Sequence, residues 1–172
     1  MVGVKSYSGS RDPRFVSVRR GGLLDDDTHH LLALWSAGCA ERVLPLFEHE
    51  RAHDPRPASA IATARAWAAG EVTMATAREH AFGAHAAARE ASGAAAEAAR
   101  AAGHAVATAH MADHELGGAF YALRGIRIAH PDDPERFARE KQWQVEALPE
   151  GIRALVLDDM RQRAAKFRGF FD

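Results

Sequence analysis

The chain has 172 residues, enough to fill one core and short for two independent domains. Lys and Arg number 22 against 23 Asp and Glu, for a net charge of -1, so the concentrated cationic footprint of a nucleic-acid binder is missing. A single cysteine, Cys39, excludes an internal disulfide. No apolar run is long enough for a signal peptide or a membrane span, and the expected location is the cytoplasm.

Residues 1–12 are polar and glycine-rich and read as a loose segment, with 13–172 as a single helical domain. Phe15 to Val18 is a short β-prone run. It is expected to be an extended arm packed on a bundle, with a small hairpin or a strand paired in a dimer as the alternative. Gly21-Gly22 ends it. Asp25-Asp26-Asp27-Thr28 opens the first helix, with Asp27 or Thr28 as its cap. That helix runs to about His49 and turns Leu31, Leu32, Trp35, Cys39, Val43, Leu46 and Phe47 inward. Pro45 should kink it or split off its last turn. A second helix starts at Pro57 or Ala58 and stops at Gly70.

The stretch from Thr73 to His130 organises the rest. Taking every third or fourth residue gives Met74, Ala77, Ala81, Ala84, Ala88, Ala91, Ala95, Ala98, Ala102, Ala105, Ala109, Ala112, Leu116, Ala119, Leu123 and Ile126. One side chain per turn thus falls on a single face, methyl-sized up to Ala112 and bulky beyond it. Small side chains let helix backbones approach closely, as in the centre of a bundle. Thr73 caps the third helix, Ser92-Gly93 breaks it, and the tract from Ala94 to His130 is one long helix or two stacked ones. Gly103 and Gly117-Gly118 are its weak points.

Pro131-Asp132-Asp133-Pro134 ends that tract and starts the next helix, capped by Asp133, with Phe137, Lys141, Val145 and Leu148 spaced for one face. Trp143 lies off that face and suits a groove between helices. A final helix turns Ile152, Leu155, Val156, Met160 and Ala164 inward, and Phe167, Phe170 and Phe171 dock the tail on this chain or on a copy of it. The fold class is all-α: a bundle of six or seven helices with an extended N-terminal arm.

The chain carries 10 histidines. His110 and His114, four apart on a helix, can share a metal, with Asp113 as a third ligand. His80 and His85 could contribute from the third helix. The more specific signals, a His-Glu-x-x-His run or a repeated Glu-x-x-His, are missing. The plainer reading makes His104, His110 and His114 a polar seam beside the alanine face, hydrogen-bonded across it. His29 and His30 follow a helix cap and read as surface groups. Cys39 sits on the inward stripe of the first helix and reads as a core thiol. Arg19-Arg20-Gly21-Gly22 lacks the lysine and hydroxyl of a nucleotide loop and reads as a turn.

Two blocks of this sequence are distinctive: Cys39-Ala40-Glu41-Arg42-Val43-Leu44-Pro45-Leu46-Phe47-Glu48, and Ala101-Ala102-Gly103-His104-Ala105-Val106-Ala107-Thr108-Ala109-His110. With Asp12 to Gly22, Leu34-Trp35, Ala64-Arg65-Ala66-Trp67, Ala84 to Arg89 and the Tyr121-Ala122 region, they resemble a family of alanine-rich, all-helical immunity proteins of bacterial polymorphic toxin systems. The resemblance spans roughly residues 12–157. It implies a small helical protein that binds and neutralises a cognate toxin in the producing cell, and it carries over no catalytic residues.

The expected function is accordingly that of an immunity protein without catalytic activity or cofactor. Its partner is a toxin protein rather than nucleic acid or membrane. Asp25, Asp26, Asp27, His29, His30, Glu48 and Glu50, all on or near the first helix, are the candidate partner contacts, combining acidic with aromatic or apolar groups. The alternative is a bundle that binds a small molecule or a divalent metal such as zinc through His80, His85, His110 and His114, and that could act as a hydrolase-like enzyme. A third account is a homodimer or larger oligomer held by the arm and the phenylalanine tail.

Overall fold

The alanine stripe becomes three helices. The computed structural model describes residues 8–171, so the segment expected to be loose lies mostly outside the described residues. Seven α-helices follow one another: α1 (Asp26–Glu50), α2 (Arg56–Ala68), α3 (Met74–Glu90), α4 (Gly93–Ala107), α5 (Glu115–Ala129), α6 (Pro134–Glu146) and α7 (Glu150–Gln162). α4 lies at the centre and packs against α1, α2, α3 and α5. Every stripe residue is buried except Met74 and Ala91. The stripe stays in phase across two chain breaks, because α3, α4 and α5 each turn their stripe face toward the bundle interior.

The break between α3 and α4 falls at Ser92-Gly93 as expected, with Gly93 at φ 50. The second break does not fall at a glycine. α4 ends at Ala107, residues 108–111 turn, and a short 3-10 turn (Ala112–His114) leads into α5. The Thr108 hydroxyl bonds back to the His104 carbonyl at 3.1 Å, and the Thr108 carbonyl accepts from His29 Nε2 at 2.6 Å. A side chain from α1 thereby satisfies a carbonyl that a continuing helix would have used.

The glycines read as weak points are places of close approach. A Cβ on Gly118 would lie 2.2 Å from Ser36 Oγ, so α1 and α5 meet there backbone to backbone. Ser36 is fully buried and donates to the Glu115 carbonyl at 2.9 Å. The interior divides as the stripe does. One cluster, between α1, α2, α3, α4 and part of α5, is mostly alanine. The other is bulky and holds Phe15, Leu24, Leu32, Trp35, Leu116, Leu123, Ile152, Phe167 and Phe170.

The arm packs on the bundle without forming a strand. Phe15 and Val16 are each 2% exposed, and short 3-10 turns cover Pro13–Phe15 and Val18–Arg20. Ser17 and Leu24 make an isolated bridge. α1 is capped by Asp25, whose carboxylate accepts from Thr28 N–H at 2.7 Å, rather than by Asp27 or Thr28. α1 also runs on through Pro45 to Glu50 without splitting off its last turn. Thr73 and Asp133 cap α3 and α6 as read from the sequence.

α6 is rotated from expectation. Its buried residues are Glu140 and Gln144, while Phe137, Lys141 and Val145 are only half-buried. Arg42 on α1 pairs with Glu140 at 2.9 Å, and Gln144 Nε2 donates to the Ala119 carbonyl at 3.1 Å. Trp143 lies beside α1, under the Arg42 guanidinium at 4.1 Å. The tail docks on its own chain. Phe167 and Phe170 pack on Phe120, and Arg127 lies 4.4 Å from the Phe137 ring and 4.1 Å from that of Phe170. Among the described residues, no helix is long and apolar enough to cross a membrane.

Candidate functional site

α3, α4 and the turn before α5 bring histidines into a row. His85 meets His104 edge to face at 5.1 Å between centroids, His104 meets His114 at 5.2 Å, and His114 meets His110 at 5.6 Å. Tyr121 stacks on His104 at 5.0 Å. Glycines make the room. A Cβ on Gly103 would fall 2.7 Å from the His85 ring, and one on Gly117 would fall 2.4 Å from His104 Nδ1. Of the expected ligands, His85, His110 and His114 thus join, with His104 as the link. His80 stays apart, in a cleft with Arg56 and Ser59.

The row is a seam of ring contacts rather than of hydrogen bonds. Among the described residues, the buried Nδ1 atoms of His104 and His110 have no hydrogen-bond partner. Burial holds the His104 imidazole down at about 3, reinforced by His114, His85 and Lys166. It holds His114 down at about 4 although Asp113 pulls the other way. His85 and His110 are lowered too, by burial first and then by nearby arginines. The imidazoles are therefore neutral at physiological pH. Neutral imidazole is a competent ligand and a competent base, so the position of the remaining donors decides what the row can do. Asp113, the expected third ligand, gives both carboxylate oxygens to Arg11, at 2.9 and 3.2 Å. Among the described residues, no group of three or more His, Cys, Asp or Glu side chains is placed to hold one ion. A cavity of about 220 Å³ opens beside His104, His114 and Tyr121, with Lys166 at its edge.

Behind that cavity lies a charged group that sequence reasoning missed. Glu115 is fully buried and Asp159 is 4% exposed. Arg163 bonds to Asp159, to Glu115 at 3.2 Å and to the Asp113 carbonyl at 3.0 Å. Burial raises the Glu115 carboxyl well above its usual range, and the adjoining Asp159 adds to the shift. The network ties the end of α7 to the start of α5, which makes it structural. In the sequence Asp159 and Arg163 stand at the i,i+4 spacing of a helical ion pair, but Glu115 lies too far away along the chain for any spacing to join it to them.

The candidate partner contacts occupy both ends of α1. At about 1.5 Å per residue, Asp25 to Asp27 lie some 35 Å from Glu48 and Glu50. Asp26 pairs with Arg19 at 2.5 Å, and Glu50 with Arg51 at 3.7 Å. Asp27 and Glu48 are exposed and make no ion pair among the described residues. His29 and His30 are not free surface groups: both pack edge-on to Trp67, at 4.7 and 5.0 Å. Beside the acidic start of α1 stand Leu23 and Val18, 68% and 49% exposed.

No curated protein and no solved structure matches the chain. A family model described as "Imm-5 like putative immunity protein" matches residues 22–151. That span takes in α1 through α6 and the whole histidine row, and the chain belongs to this family of immunity proteins.

Proposed function

We propose that this protein binds a cognate toxin of its own cell, in the cytoplasm, and neutralises it by occupying its surface, without chemistry of its own. The observation that carries the reading is membership of the immunity-protein family over residues 22–151. The contact surface we favour is the start of α1 together with the arm. There the exposed Leu23 and Val18 adjoin Asp25 and Asp27, a mixture of apolar and acidic groups suited to a basic partner face.

Affinity capture of the tagged protein from its own cells, followed by co-expression with the captured candidate, tests the reading. Restored growth of cells that express the candidate supports neutralisation. A captured toxin whose lethality this chain leaves unchanged contradicts it. The surface is tested separately by Leu23→Glu and Asp27→Lys, both exposed and outside the core. Unchanged toxin affinity in both variants rejects this face and leaves the Glu48 end of α1 to be tried.

A further inference from the structure

The Arg19-Arg20-Gly21-Gly22 turn forms part of the wall of a second cavity, of about 510 Å³, between the arm and the start of α1. The toxin-binding reading does not require this cavity. Its volume suits a small ligand, and so does its lining, with an apolar floor and a few polar groups above it. Phe15, Leu24 and Ala112 are buried in that floor, and Trp67 and the half-exposed Met74 complete it. Its charge is one-sided. Arg11, Arg19 and Arg20 line it against a single carboxylate, Asp26. Asp26 is taken by Arg19, and Arg11 is held by Asp113 from outside the lining, so Arg20, which makes no ion pair among the described residues, supplies the cavity's uncompensated charge. His29 and His110, which also line it, are both held toward the neutral form by burial.

The wall is fixed by its own backbone. Leu23 N–H donates to the Pro13 carbonyl at 2.8 Å, Leu24 N–H to Val16 at 3.0 Å, and Val18 N–H to Leu24 at 2.9 Å. Gly21 takes φ 84 to close the turn. At Gly22 a Cβ would lie 2.0 Å from the Val16 carbonyl oxygen, so only glycine fits. The two glycines hold Arg20 at the mouth of an apolar cavity.

We propose that this cavity binds a small amphipathic carboxylate, with a compact aromatic or branched aliphatic body on the floor and its carboxylate on the Arg20 guanidinium. Planar guanidinium matches carboxylate geometry, and the apolar body displaces water from the floor. The cavity adjoins the face proposed for the toxin, but ligand binding to the free chain is tested without a toxin present.

The test titrates phenylacetate and 4-methylpentanoate into the full chain, following the Trp67 indole and the Met74 methyl by NMR. Phenylacetamide serves as the neutral control. Saturable shifts confined to Trp67, Met74 and their neighbours are expected with the acids, and the amide should bind about tenfold more weakly. Arg20→Ala, an exposed position, should remove the preference for acid over amide and leave the fold intact. Met74→Glu, at the exposed edge of the floor, should weaken the acids more than the amide. The proposal is overturned if neither acid shifts these signals at millimolar concentration. Equal affinity for phenylacetate and phenylacetamide, or an acid preference that survives Arg20→Ala, overturns it as well.

Discussion

The ring of His104 occupies the space that a side chain at position 117 would need: a Cβ on Gly117 would stand 2.4 Å from His104 Nδ1. The atoms in the way belong to a ring and to its own Cβ, with α4 and α5 packed on either side, so neither partner can yield cheaply. Gly117→Ala should therefore destabilise the protein by about 1–3 kcal/mol, although alanine is the better helix former. Denaturant unfolding measures it. Combining Gly117→Ala with His104→Ala should cost less than the sum of the two single changes.

The histidine row sets a pH dependence. His104 and His114 have folded values of about 3 and about 4, below the ordinary 6.5, so between those limits the unfolded chain binds more protons than the folded one. Stability contributed by their neutral forms is complete above pH 6.5 and declines as pH falls toward 4, by up to about 1.4 kcal/mol per unit for each histidine. Glu115 works the other way, because a raised carboxyl regains stability as pH falls. The difference between wild type and His104→Gln isolates the imidazole. Unfolding midpoints measured from pH 7 down to pH 4.5 should converge as the pH drops, and a constant gap would contradict the assignment.

Arg163 holds two buried carboxylates at once, and Glu115 has no exposure at all. Arg163→Ala removes the one cation paired with them among the described residues, and it should cost about 3 kcal/mol. Replacing Glu115 with Gln in the same background should recover part of that loss, because the amide carries no charge to strand. Thermal unfolding of the three variants decides the point. An Arg163→Ala protein as stable as wild type would show that the network contributes nothing.

Cys39 is fully buried, and its thiol is raised well above the ordinary value by burial first and by Glu140 second. A thiol reagent should therefore label it only after unfolding, and the labelling rate should follow the denaturation curve. Rapid labelling of the folded protein would place Cys39 at a surface.

The sequence alone determined the helical class, most helix starts and the inward stripe. Those features depend on local chemistry: methyl groups repeating at the helical period, Thr73 and Asp133 at cap positions, Pro134 in a first turn, and Gly70 and Gly93 at positive φ. The grouping of His104, His110 and His114 was legible, because they share one segment, but the expected hydrogen bonds across it are replaced by ring contacts, and His85 joins from α3. Where partners lie far along the chain, local pattern had no hold. The turn at Thr108 depends on His29 of α1 to satisfy its carbonyl, and no Gly or Pro marks it. The inward face of α6 is polar because Arg42 and the Ala119 carbonyl wait there for Glu140 and Gln144. Gly117 and Gly118 look like flaws in a helix until His104 and Ser36 are packed against them. Only the tertiary structure closed the arm over a cavity, since concavity arises from how the elements pack on one another.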